Sequence, residues 1–137
     1  MESLNTVLLS LGSNLGPREQ HLAQAEALIS TNIGTVLATS QPYYSEPLGF
    51  VSSHEFCNVC MKITTLLNPM ELLRATQEIE RIMGRVKGTA DVSKSDRTMD
   101  IDILFFNELE WVSDELIIPH PEWHKRPFVV IPLLEVL

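Results

Sequence analysis

Met99-Asp100-Ile101-Asp102-Ile103-Leu104-Phe105-Phe106 reads as a strand with two different faces. At a rise of ~3.3 Å per residue, Asp100 and Asp102 share one face at a separation of about 6.5 to 7 Å, while Ile101 and Ile103 point the other way. What precedes this strand makes it the last of a series. Gly84 ends a helix that opens at Asn68-Pro69-Met70-Glu71, with Asn as cap, Pro at the first position and Glu at the third. That helix carries Leu72, Thr76, Ile79 and Met83 on one stripe. Before it, a strand over 56–65 sends Cys57, Val59, Met61 and Ile63 to a core face and Phe56, Asn58, Cys60 and Lys62 to the other. Earlier still, Thr6-Val7-Leu8-Leu9-Ser10-Leu11 reads as a buried strand ended by Gly12-Ser13-Asn14-Leu15-Gly16-Pro17, with Pro17 opening a helix that aligns Leu22, Ala25, Leu28 and Ile29. A strand over 35–44 follows, interrupted at Pro42. Strand, helix, strand, strand, helix, strand is the split β-α-β pattern of an α+β sandwich, a mainly antiparallel sheet with two helices on one face. A hairpin at Asn107-Glu108, a strand-like stretch over 111–118 and a partly helical apolar segment over 127–137 supply extra C-terminal elements for the other face.

The length of 137 residues suits a single domain, 1–137. Ten basic against eighteen acidic side chains give a net charge of −8, which argues against a general nucleic-acid binder or attachment to anionic lipid by overall charge. The longest apolar runs fall far short of the roughly 20 residues of a spanning helix, and Met1-Glu2-Ser3-Leu4-Asn5 is no signal peptide, so the expected location is cytoplasmic. Cys57 and Cys60 form a CxxC pair, but strand alternation sends them to opposite faces. They are expected as buried, separate thiols rather than half a metal site or a disulfide.

Two like charges at i and i+2 repel unless a cation or an arginine lies between them. Hard oxygen donors with no nearby His or Cys favour magnesium; chance acids on a solvated strand are the competing reading. The distribution of positive charge favours the metal. Arg81, Arg85, Lys87, Lys94 and Arg97, five of the ten basic residues, lie within the seventeen positions 81–97 directly before the aspartates. Arginine forks match phosphate oxygens, so the combination suits a magnesium nucleotide. No GxxxxGK[ST] motif is present, so phosphates must be held otherwise. Gln77 and Glu80 share one side of the second helix, and His120 suits a phosphate donor, each against the plainer reading of a polar surface residue. Phe56 and Asn58 together read as an aromatic that stacks on a flat ring and an amide that reads its edge; an Asn bonding a neighbouring loop is the alternative.

Leu11-Gly12-Ser13-Asn14-Leu15-Gly16, Ser45-Glu46-Pro47-Leu48-Gly49, Phe56-Cys57-Asn58, Arg97-Thr98-Met99-Asp100-Ile101-Asp102-Ile103-Leu104 and Ile118-Pro119-His120-Pro121, with Arg126-Pro127-Phe128, resemble the 6-hydroxymethyl-7,8-dihydropterin pyrophosphokinase family of folate biosynthesis over nearly the whole chain. The resemblance implies a ferredoxin-like fold and transfer of pyrophosphate from ATP to a pterin hydroxymethyl group, releasing AMP. It implies that Asp100 and Asp102 bind two Mg²⁺ ions, that Arg85 and Arg97 stabilise phosphate charge, and that Gln77, Glu80, Ile103, His120 and Arg126 surround the nucleotide. Ser45, Leu48, Phe56, Asn58 and Phe128 would form the pterin pocket. The implied partners are ATP and the hydroxymethyl-dihydropterin, with no nucleic acid or membrane, and nothing in the sequence calls for more than a monomer.

Two departures stand out. Where the family usually has Trp three residues before the Arg of its RTxDxD motif and Pro immediately before that Arg, this chain has Lys94 and Asp96, and it continues only briefly beyond Pro132-Leu133. The first keeps open a second reading, a non-catalytic pterin- or nucleotide-binding paralogue with an altered closing loop. A metal-dependent phosphohydrolase is a third and weaker one, since no positioned base for water is evident.

Overall fold

Strand β1 (Asn5–Ser13) runs through the interior of an antiparallel sheet in the computed structural model, which describes residues 3–46, 55–84 and 98–137. Helix α1 (Arg18–Asn32) leads to β2 (Gly34–Thr39), β3 (Tyr43–Ser45) and β4 (Phe56–Thr65); helix α2 (Pro69–Ile82) leads to β5 (Asp100–Phe106). The sheet order is β2-β4-β1-β5, with β3 also paired to β4, and each pairing is antiparallel. Each helix therefore connects two strands that are separated by a third. This is the ferredoxin-like α+β arrangement that the element order predicts.

Local signals explain most of the elements. Asn68 accepts from the Glu71 amide at 2.8 Å while Glu71 accepts from the Asn68 amide at 2.9 Å, a complete capping box with Pro69 in the first turn. Gly84 ends the second helical segment at a φ of 105°, a conformation that side chains avoid. The expected strand over 35–44 is two strands, β2 and β3, that follow the same edge of β4 and are parted at residues 40–42, around Pro42.

Three expectations need correction. β1 does not stop at Leu11: Gly12 and Ser13 continue the ladder, opposite Asn58 and Cys57. Pro17 precedes α1 instead of opening it, because its ψ of 85° is not helical. No hairpin turns β5 onto a long following strand. Asn107 takes a φ of 51°, accepts from the Thr6 amide through its side chain at 2.7 Å and donates its own amide to the Thr6 carbonyl at 2.7 Å. That closes the β1–β5 pair and releases the chain, which forms the two-residue strands β6 (Trp111–Val112) and β7 (Ile117–Ile118), paired with each other.

One sheet face buries Val7, Leu9, Leu11, Val59, Met61 and Ile63 against Leu22, Ala25 and Ile29 of α1 and Leu72 and Ile79 of α2. The opposite face packs Cys60 and Leu104 against Val129, Leu133 and Val136 of helix α3 (Pro127–Val136). Cys57 belongs to the first cluster and Cys60 to the second, both free and buried, as strand parity requires. Among the described residues no helix is long and apolar enough to cross a membrane.

Gly34 stands opposite Thr65, and a Cβ there would lie 1.9 Å from the Thr64 carbonyl oxygen. Backbone has to move to admit it. Gly34→Ala is expected to lower stability by about 3 kcal/mol in urea denaturation; a loss under about 1 kcal/mol would show that the β2–β4 pair yields easily.

Candidate active site

The register of β1 with its two neighbours assembles the site. Gly12 lies between Asn58 of β4 and Asp100 of β5, and Ser10 lies between Cys60 and Asp102. Residues directly opposite in a sheet share a face, so both rows face away from α1 and α2. The two aspartates are half-buried on that face, as their spacing predicts.

Asn58 is buried and spends both of its amide hydrogens within the protein. Nδ2 donates to Ser45 Oγ at 2.9 Å and to the Tyr43 carbonyl at 3.2 Å. What remains for a ligand is its carbonyl oxygen, an acceptor. That oxygen lies 2.7 Å from where a Cβ on Gly12 would stand, and a ring carbon of Phe56 lies 3.4 Å from the same point. The pair rests on a strand position that only hydrogen leaves open.

Arg126, at the cap of α3, joins the two parts of the face. Its Nη1 is 3.9 Å from Asp102 Oδ2, and its guanidinium carbon lies 5.8 Å from the centre of the Phe128 ring. It lines a cavity of about 650 Å³ together with Tyr43, Ser45, Lys125 and Phe128. This partner of Asp102 comes from the C-terminal segment, not from the basic stretch that precedes the strand.

His120 is tied to the same strand, its amide donating to the Leu104 carbonyl at 3.0 Å. Its Nδ1 accepts from the Glu122 amide at 3.1 Å, which leaves the ring proton on Nε2 as a donor. Burial, with the Arg126 charge adding to it, holds the imidazole pKa below its ordinary value, opposed by Glu122 and Asp100. His120 is therefore a neutral donor near pH 7.

The remaining predicted residues are differently placed. Glu80 is buried, and its carboxylate accepts from the Ile101 amide at 2.8 Å, holding the free edge of β5 between the two aspartates. Ile103 is buried in the helix-side core, so it offers a ligand only its main chain. That main chain has the parity of Ile101 and faces away from β1. Gln77 stands exposed on α2 and accepts from Arg74 at 3.3 Å. Leu48, Arg85 and Arg97, and the departures at Lys94 and Asp96, lie outside the described residues. Sequence reasoning passes over Gly12 and Tyr43. The signal for Gly12 was available, since continuing the β1 alternation two residues beyond Leu11 puts it in the row of Asn58 and Asp100.

Among the described residues no three His, Cys, Asp or Glu side chains cluster to hold a metal. Two carboxylates on one face fit magnesium, which takes one or two carboxylates and fills its other positions with phosphate oxygens and water.

The lowered pKa of His120 means that the unfolded chain binds its proton more tightly than the folded one. The stability this confers is complete above pH ~6.5, the ordinary histidine value, and is lost as pH falls through the folded pKa. Urea midpoints from pH 7.5 to 5 are expected to fall less steeply for His120→Gln than for the wild type; parallel curves would show that the imidazole is not held neutral.

A model of the 7,8-dihydro-6-hydroxymethylpterin-pyrophosphokinase family matches residues 8–137. The 2-amino-4-hydroxy-6-hydroxymethyldihydropteridine pyrophosphokinase of Bacillus subtilis is 42% identical over 133 residues, 96% of this chain and 78% of that protein. Its counterpart from Porphyromonas gingivalis is 42% identical over 131 residues, 95% of this chain and 89% of its own length. In fold, the chain is similar to the Plasmodium falciparum HPPK-DHPS solved with pterin and p-hydroxybenzoate, at a TM-score of 0.69 and 16% identity; the match covers 96% of this chain and 38% of that one. The chain belongs to the 7,8-dihydro-6-hydroxymethylpterin-pyrophosphokinase family.

Proposed function

We propose that Asp100 and Asp102 hold magnesium for the transfer of pyrophosphate from ATP to the hydroxymethyl group of 6-hydroxymethyl-7,8-dihydropterin, with AMP released, and that the reaction takes place in the cytoplasm. The transfer itself is the family's reaction in folate biosynthesis. The observation that carries the residue assignment is the common sheet face of Asn58, Asp100 and Asp102, with Arg126 reaching Asp102 from the rim of the cavity beside Ser45.

Bound magnesium would supply neutralisation of charge on the transferring phosphates. The protein's own groups bind and orient. Asn58 presents an acceptor to an N–H edge of the pterin, held by Ser45 and the Tyr43 carbonyl. Phe56 and Phe128 offer aromatic faces for the ring. Arg126 and the neutral Nε2–H of His120 stand on the phosphate side of the same face, and the outward main chain of Ile103 is available to the nucleotide base. Arg85 and Arg97 complete the charge match in this reading. Catalysis is then a matter of holding the pterin hydroxyl in line with the β-phosphorus and of fixed electrostatics around the developing charge.

The direct test mixes enzyme, ATP, Mg²⁺ and the hydroxymethyl-dihydropterin and follows the nucleotides. Pterin-dependent AMP is expected; ADP, or AMP released without pterin, would refute the assignment. Asp102→Asn is expected to lower AMP release by about a thousandfold, the several kcal/mol that a metal ion supplies, with a melting temperature within a few degrees of wild type, because the contact with Arg126 is long, at 3.9 Å, and only half-buried. A variant that is destabilised yet keeps near wild-type turnover would remove Asp102 from the metal. Gly12→Ala, whose methyl displaces the Asn58 carbonyl, is expected to weaken pterin binding by about tenfold and to leave nucleotide binding alone; calorimetry with each ligand separates the two.

A further inference from the structure

The pocket side chains Ser45 and Phe56 sit at the outer end of a short ladder. β3 has three residues, and its last pair is Ser45 with Phe56. So short a strand is weakly held by its own hydrogen bonds. Behind it stands the start of α1. Arg18 Nη1 donates to the Glu55 carbonyl at 2.7 Å, and its guanidinium carbon lies 5.3 Å from the centre of the Tyr44 ring. Tyr44 in turn donates its hydroxyl to Glu19 Oε1 at 3.0 Å, and that same oxygen is 4.0 Å from Arg18 Nη2. The three side chains close a triangle that grips the residue before Phe56 and the residue before Ser45. Tyr44 pairs with Cys57, so strand alternation turns these two towards the helices and Ser45 and Phe56 towards the site.

We infer that Arg18 is a positioning residue for the pterin pocket, a clamp that locks the ends of β3 and β4 from the helix side and so fixes the spacing of Ser45, Phe56 and Asn58 without touching either substrate. The inference rests on the pyrophosphokinase reading and extends it to a residue on the opposite face of the sheet. The bond from Tyr44 to Glu19 raises the phenol pKa to about 12, so this corner of the triangle stays protonated across the working range of pH. An arginine is suited to the role because one planar group donates to a carbonyl and covers an aromatic face at once.

Arg18→Ala and Arg18→Lys test the clamp in the intact chain. For Arg18→Ala the KM for the hydroxymethyl-dihydropterin is expected to rise about tenfold, with the KM for ATP and kcat within twofold and the melting temperature within a few degrees. Arg18→Lys, which keeps a donor and loses the planar cover, is expected to fall between. Hydrogen exchange of the unliganded protein supplies a second reading: amides of 43–45 and 56–58 are expected to exchange faster in Arg18→Ala, those of the β1–β5 pair unchanged. An equal rise in both KM values, an unchanged pterin KM, or unchanged exchange at 43–45 and 56–58 would overturn the clamp. Failure of the underlying reading is distinguishable, because it appears in the wild type as absence of pterin-dependent AMP.

Discussion

The pairing of β1 with β4 on one side and β5 on the other is the constraint from which the site follows. Slipping either ladder by one residue would turn Asn58 or the aspartates onto the helix side and send core residues into the cavity. The register is held from both ends: the hydrophobic set Val7, Leu9 and Leu11 is buried under α1 and α2, and Asn107 fastens the far end of β1 to the end of β5. Stability and ligand geometry are thus set by the same hydrogen bonds. The site is a by-product of a well-specified sheet, and loops add to it rather than create it.

Electrostatics on this face are arranged against the character of the chain as a whole. A protein of net charge −8 brings two carboxylates together on one strand and places a guanidinium beside the second. In the proposed reading a nucleotide would add further negative charge to this face, which cations joining it at binding would offset. The neutral state of His120 fits the proposed division of labour, since its Nε2–H could donate a hydrogen bond without a permanent charge beside a metal.

What the sequence discloses, it discloses through local rules. Parity along β4 and β5 separates Cys57 from Cys60 and unites Asp100 with Asp102, because side-chain direction in a strand depends on little beyond its neighbours. The Asn68 box is legible for the same reason. Glycine misleads: Gly12 carries the signature of a break, and only its partners on β4 and β5 show it to be a strand residue kept small for Asn58 and Phe56. The Arg126–Asp102 contact joins positions 24 apart through α3 packing, which no periodicity records. Glu80 is legible as a polar residue beside the stripe, but its bond to the Ile101 amide depends on α2 lying along the free edge of β5.

The two thiols, one under each face of the sheet, make the sheet's integrity chemically visible. Burial raises both above their ordinary pKa, Cys60 to about 12, so neither carries thiolate charge or meets a reagent while the sheet is closed. An alkylating reagent then sees none of them in the native molecule and both once the layers part. Cys57 reports the opening of the α1–α2 side and Cys60 that of α3, so the order in which they become labelled distinguishes loss of one layer from collapse of the whole sandwich.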